Sequence, residues 1–167
     1  MSSYIVMQTD SPTTPESAPS HTADPLSFSG LDLMRAWAAN PGLDHPSIGR
    51  LLGMRPVSID EGSVSFAVTP KPDFANPLGS VHGGICATLL DSVMGCAVHT
   101  TLPAGVGYTT LELKVNYIRT VAVDASDLTG VGTTIHVGRR TATAEGKVFS
   151  ADGKLVAHGT TTCIILR

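Results

Sequence analysis

The sequence predicts an α+β domain in which a curved antiparallel sheet of five or six strands wraps around one long central helix. Three observations carry this reading. Residues 83–99, GGICATLLDSVMGCAVH, are apolar on nearly every side, and a helix without a polar face has to be covered on several sides. The residues that follow alternate at period two, most cleanly in TTLELKVNY, residues 109–117, as a half-buried strand requires. The last strand-like segments are rich in Ala, Gly and Thr, small enough for a helix to lie close against a twisted sheet.

The elements follow in order. SGLDLMRAWAA (residues 29–39) predicts a short helix opening near Ser29, with Leu33, Met34 and Trp37 on its apolar side and Asn40-Pro41-Gly42 ending it. HPSIGRLLG adds a helical turn, and MRPVSIDEGSVSFAVTP reads as a hairpin turning at Glu61-Gly62. The loop KPDFANPLGS leads into the central helix, which Pro103 and Gly105 close off. In TTLELKVNY the alternation puts Leu111, Leu113, Val115 and Tyr117 on one face and Thr110, Glu112, Lys114 and Asn116 on the other. DLTGVGTTIHV and RRTATAEGKVFS form a second hairpin around Gly138, and KLVAHGTTTCIIL follows a turn at Asp152-Gly153.

The 167 residues suit one domain, residues 26–167, preceded by a tail over residues 1–25 whose Ser, Thr and Pro lack periodicity and read as disordered. With 42% hydrophobic and 15% charged residues, the folded part needs a well-covered core or a large subunit interface. A net charge of −3 predicts no general attraction to nucleic acid or anionic membranes. No apolar run approaches the roughly 20 residues needed to span a bilayer. Cys86, Cys96 and Cys163 lie in apolar runs and are odd in number, which suits small buried hydrophobes in a reducing compartment. No Lys or Arg precedes Arg35, unlike basic targeting segments, so the expected address is the cytoplasm.

The chemistry concentrates in NPLGSVHGGICATLLDSVMGCAVHT, residues 76–100. Asp91 is the only formally charged side chain between Asp73 and Glu112, and it is too far from either helix end to cap one. A carboxylate among apolar groups suits an acid, base or nucleophile, because poor solvation raises its basicity; a structural Asp satisfied by hydroxyls is the other reading. An unpaired buried charge costs several kcal/mol, which favours function. His82-Gly83-Gly84 open the helix, where unpaired N–H groups and the positive dipole end can hold a developing oxyanion, or serve only as a Gly-rich entry. From His82 to Asp91 a helix rises roughly 13 Å and rotates by half a turn. One chain therefore does not easily aim the Gly83 amide and the Asp91 carboxylate at one atom, which predicts a site shared across a dimer interface.

Other residues carry two readings each. Asn76, before Pro77, is a turn residue or a polar substrate contact. His82 is a hydrogen-bond partner for Asn76 or a water, and Thr110 is a strand former or a site hydroxyl. Arg139-Arg140, the densest basic pair, are edge charges or phosphate partners. His82, Cys86, Cys96 and His99 have a superficial zinc spacing, but the two cysteines lie roughly 15 Å apart along one helix and do not share an ion. No nucleophile elbow, P-loop or dinucleotide fingerprint is present.

Taken together, Asn76, the His82-Gly83-Gly84 turn and Asp91 inside an apolar helix resemble the hotdog-fold acyl-CoA thioesterases of the PaaI type. YTTLELKVNYIR, GRRTATAEGKV and DGKLVAHGTTT are similar to that family's successive strands, so the resemblance covers about residues 45–166. It implies the hotdog fold, homodimers often assembled to tetramers, and hydrolysis of acyl-CoA thioesters at sites on the subunit interface. Asp91 would be the nucleophile or the base that activates water, and the Gly83 amide would polarise the thioester carbonyl. Asn76 and His82 would position substrate or water, Thr110 would supply an assisting hydroxyl, and Arg139 and Arg140 would meet the CoA phosphates. The chemistry needs neither metal nor redox cofactor; CoA is part of the substrate. A hotdog hydratase or dehydratase, using His82 with the helix carboxylate, and a non-catalytic acyl-CoA binder are the competing readings.

Overall fold

A computed structural model describes residues 27–39 and 46–167. The tail over residues 1–25 and the Asn40-Pro41-Gly42 stop lie outside the described residues. Helices α1 (Gly30–Ala39) and α2 (Ile48–Leu52) come first, followed by strands β1 (Arg55–Asp60) and β2 (Ser63–Val68), helix α3 (Gly83–His99), and strands β3 (Gly107–Tyr117), β4 (Leu128–Val137), β5 (Thr141–Phe149) and β6 (Leu155–Leu166). Each helix start has its local cause. Ser29 Oγ accepts from Asp32 N–H at 3.2 Å and donates to the Asp32 carboxylate at 2.7 Å. Ser47 Oγ takes the Arg50 N–H, and Gly53 ends α2 in the left-handed region at φ 69°.

All six strands form one antiparallel sheet in the order β1-β2-β4-β5-β6-β3. The tight turns fall at the expected places, with Gly62 and Gly153 at φ 73° and 76°. The sheet curves around α3, as the sequence predicts. Leu89, Leu90, Val93, Met94, Ala97 and Val98 of the helix are fully buried against Val64, Val68, Leu128, Ala144 and Val148 of the strands. Glycines on the inner face set how closely the helix lies. A Cβ on Gly132 of β4 would stand 2.4 Å from the Val93 carbonyl, and one on Gly146 of β5 would meet Met94 and Leu90 at about 3 Å. Gly132→Ala must push the helix backbone itself away, so it should cost roughly 2–3 kcal/mol. Thermal unfolding should show Tm falling by roughly 5–10 °C; an unchanged Tm would mean the helix is free to move.

One expectation is corrected here. The clean alternation of TTLELKVNY hides a β-bulge between Thr110 and Glu112, where Leu111 has no partner on β6. An extra residue inverts the alternation that follows it. Thr110 therefore shares the helix-facing side with Tyr108 before the bulge and with Leu113 and Val115 after it, while Leu111 is 57% exposed. β3 also forms one edge of the sheet, bonded only to β6 among the described strands.

Candidate active site

Helix α3 carries both groups that the sequence nominates for chemistry, Gly83 at its start and Asp91 at its middle. At its start, His82 Nδ1 accepts the Gly84 N–H at 2.9 Å, and the His82 carbonyl accepts from Ile85. The first helical N–H, that of Gly83, then has no acceptor among the described residues, as the first turn of a helix leaves it. The ring of Tyr117 lies against Gly83, and a Cβ there would come within 3.0 Å of it. Tyr117, Arg119 and Thr120 join Asn76, Ser80 and Gly83 around a polar cavity of about 260 Å³.

Two residues with open readings can be placed here. His82 does not orient Asn76: its Nδ1 caps the helix, and an acceptor at Nδ1 places the proton of the neutral ring on Nε2. The Asn76 side chain bonds within its own turn, which is the turn-residue reading of the sequence. Its Oδ1 accepts from Leu78 N–H (2.9 Å) and Ser80 N–H (3.2 Å), and its Nδ2 donates to Ser80 Oγ (2.9 Å). Asn76 thus shapes the loop that delivers the chain to Gly83, with Gly79 at φ 80° completing the turn.

Two turns along, Asp91 is half-buried, not sealed in the core as the all-apolar helix suggested. Its Oδ1 accepts from Thr110 Oγ1 at 2.8 Å, a contact the bulge in β3 makes possible. Beside them lie Cys96 and Tyr108; burial pushes the Cys96 thiol up to about 12 and raises the Tyr108 hydroxyl further, so both stay uncharged at neutral pH. These residues and Ser92 form one side of a largely apolar cavity of about 570 Å³, whose remaining wall comes from Leu33, Met34 and Trp37 of α1, Ile48 of α2, Met54, and Phe66 of β2.

The two cavities share no lining residue. Within one chain Asp91 and Thr110 come together, as do Asn76 and Gly83, and the two pairs stay apart. Arg139 and Arg140 sit exposed in the β4–β5 turn. The register Thr110–Cys163–Ala142 places that turn two residues beyond Ala142, at the Asp91 end of the sheet. No group of three or more metal-ligating side chains exists among the described residues, and none of their helices is long and apolar enough to cross a membrane. Tyr108, Cys96, Trp37, Tyr117 and Arg119 were not singled out as site residues by the sequence reading. In the sequence Trp37 and Tyr117 fall on apolar faces, Cys96 stands only in the rejected zinc spacing, and Tyr108 and Arg119 are only the ends of a strand motif.

A six-stranded sheet curved around an apolar helix, with a glycine turn at its start and a carboxylate at its middle, defines the hotdog class. Comparison with known proteins agrees. The model of the thioesterase superfamily matches residues 78–157, a span that holds Gly83, Asp91 and Thr110. A conserved protein of Pseudomonas aeruginosa, PA5202, is 34% identical, with a TM-score of 0.68 over 73% of this chain and 95% of that one. A candidate thioesterase of Ralstonia eutropha, described as phenylacetic acid degradation-related, is 30% identical, with a TM-score of 0.67 over 77% and 98% of the two chains. The E. coli PaaI protein, from the phenylacetic acid degradation operon, is 20% identical and shares the fold with a TM-score of 0.71 over 84% and 97%. The chain belongs to the thioesterase superfamily, as a PaaI-type hotdog protein, which places it among thioester hydrolases.

Proposed function

We propose that the protein hydrolyses acyl-CoA thioesters to the free acid and CoA, in a site assembled from two copies of the chain. The observation that carries this is the Asp91–Thr110 pair set in the wall of an apolar cavity. Thr110 holds Oδ1 and leaves Oδ2 to act. As a base, Asp91 takes a proton from water while the water oxygen attacks the carbonyl carbon. The resulting oxyanion rests on the unpaired Gly83 N–H of a second copy, the C–S bond breaks, and the proton passes to the departing CoA sulfur. As a nucleophile, the same oxygen would attack the carbonyl carbon and displace CoA thiolate, giving an acyl anhydride that water then opens to the free acid and the Asp91 carboxylate.

Two copies are needed because the Asp91 and Gly83 cavities of one chain are separate. The bare edge of β3, with Tyr117 55% exposed near Gly83, supports a homodimer, and further pairing would give a tetramer. The turn holding Arg139 and Arg140 supports contact with CoA phosphates, because it lies at the Asp91 end of the sheet. His82, with Nδ1 engaged, acts as a donor through Nε2 and not as the base a hydratase requires.

The test is release of free thiol from acyl-CoA. Absence of release on every aryl, medium-chain and long-chain thioester, or addition of water to an enoyl thioester instead, would sink the proposal. Thr110→Val keeps the shape and removes the hydroxyl. It should lower kcat by roughly 10–100-fold, the worth of one hydrogen bond to a charged group. A fully active Thr110→Val enzyme would reduce that hydroxyl to a strand former.

A further inference from the structure

We infer that the cavity under α1 and α2 takes the acyl group of the thioester, and that this group is an uncharged apolar chain of medium length, or its aryl-ended equivalent, reaching from Asp91 to Trp37. The inference rests on the thioesterase reading for the position of the thioester, and on three features of the cavity for the rest.

The first feature is direction. Thr110 and Tyr108 belong to β3 and Phe66 to β2, and these strands stand on opposite sides of the order β2-β4-β5-β6-β3. The curved sheet therefore closes on the cavity from both sides. A carbonyl held at Asp91 sends its chain toward the Phe66 side. There the Trp37 ring stands edge-on to Phe66, with centroids 5.7 Å apart, a packed aromatic wall that fixes where a chain must stop.

The second feature is charge. Among the described residues, Asp91 is the only formally charged one lining the cavity. Ser47 accepts the Arg50 N–H through its hydroxyl, and burial keeps Cys96 and Tyr108 uncharged at neutral pH. A second carboxylate on the acyl group, as in a succinyl thioester, would find no cation among these lining residues and would face Asp91 across apolar surface.

The third feature is size. A cavity of about 570 Å³ lies within the roughly 300–1,000 Å³ of pockets that hold ligand-sized groups. An acetyl group would leave most of it unfilled and gain little from its walls.

Trp37 is the only tryptophan in the chain, so its emission reports on this cavity directly. The unaltered full-length protein is titrated with S-ethyl-CoA, S-octyl-CoA and S-(3-carboxypropyl)-CoA, none of which can be hydrolysed. S-octyl-CoA should shift the Trp37 emission and bind at least about tenfold tighter than S-ethyl-CoA, and the carboxypropyl compound should bind no tighter than the ethyl one. An emission unmoved by saturating S-octyl-CoA, or equal affinities for the three, overturns the inference. Trp37→Ala provides a second readout, because it opens the far wall. The acyl-CoA with the highest kcat/KM should move to a longer chain, whereas a profile of unchanged shape speaks against Trp37 as the stop. The emission measurement stands whether or not that variant folds. An emission response with no turnover of any thioester would overturn the hydrolase reading and leave the cavity assignment in place. Turnover with neither chain-length dependence nor emission response would do the reverse.

Discussion

Asp91→Asn should reduce thiol release from acyl-CoA by a factor on the order of 10²–10⁴, the usual worth of a positioned base or more, while leaving the fold intact. The asparagine carbonyl can still accept from Thr110 Oγ1, which now holds Asp91 Oδ1 at 2.8 Å. Asp91 is half-buried at the cavity wall, so the change leaves no charge unpaired in the core. Circular dichroism and Tm should therefore stay near the parent values while activity falls. What disappears is the free oxygen able to take a proton or to attack carbon, because the amide nitrogen at that position can do neither. Undiminished turnover in the Asn variant would remove Asp91 from the chemistry and return it to the role of a strand-to-helix tie.

The second large effect is expected at Gly83. Proline is well suited to the first position of a helix, since its missing N–H is one the helix does not use. Its φ of about −65° fits, and the preceding residue must be extended, as His82 is at φ −63° and ψ 134°. Gly83→Pro thus deletes one N–H with little disturbance to α3, although the Tyr117 ring must give by a few tenths of an ångström. Loss of a single oxyanion donor lowers kcat on the order of 10²–10³. The variant also tests the shared site. Mixing the Asp91→Asn and Gly83→Pro chains should restore activity, because a mixed dimer has one site with both native groups, Gly83 from one chain and Asp91 from the other. If each chain used its own Gly83 and Asp91, no mixture would recover anything.

Much of this architecture can be read from the chain because its signals are local. The start of α3 follows from glycines behind an N-cap, the Glu61-Gly62 and Asp152-Gly153 turns from glycines with positive φ, and the close helix packing from glycines in β4 and β5. Asp91 stands out as a charge where none is expected. What escapes the sequence is what depends on pairing. The bulge after Thr110 has no glycine to mark it, and Leu111 keeps the alternation looking unbroken while pointing outward. The roof of the large cavity comes from α1 and α2, far from Asp91 along the chain, so no spacing rule connects Trp37 to it. The engagement of Asn76 within its own turn is equally invisible, since the same residue type serves a loop or a ligand.

The edge of β3 has a consequence for the life of the molecule in dilute solution. An eleven-residue strand whose outer N–H and C=O groups meet no other described strand, and with Leu111 and Tyr117 more than half exposed, is a template for joining whatever strand it meets. If its intended partner is another copy, mass action links folding to abundance: the midpoint of unfolding rises with protein concentration. A chain kept scarce would then be exposed to misassembly at the same edge that completes it when plentiful. Denaturation curves recorded at nanomolar and micromolar protein should separate, and coincident curves would show that the edge is protected within a single copy.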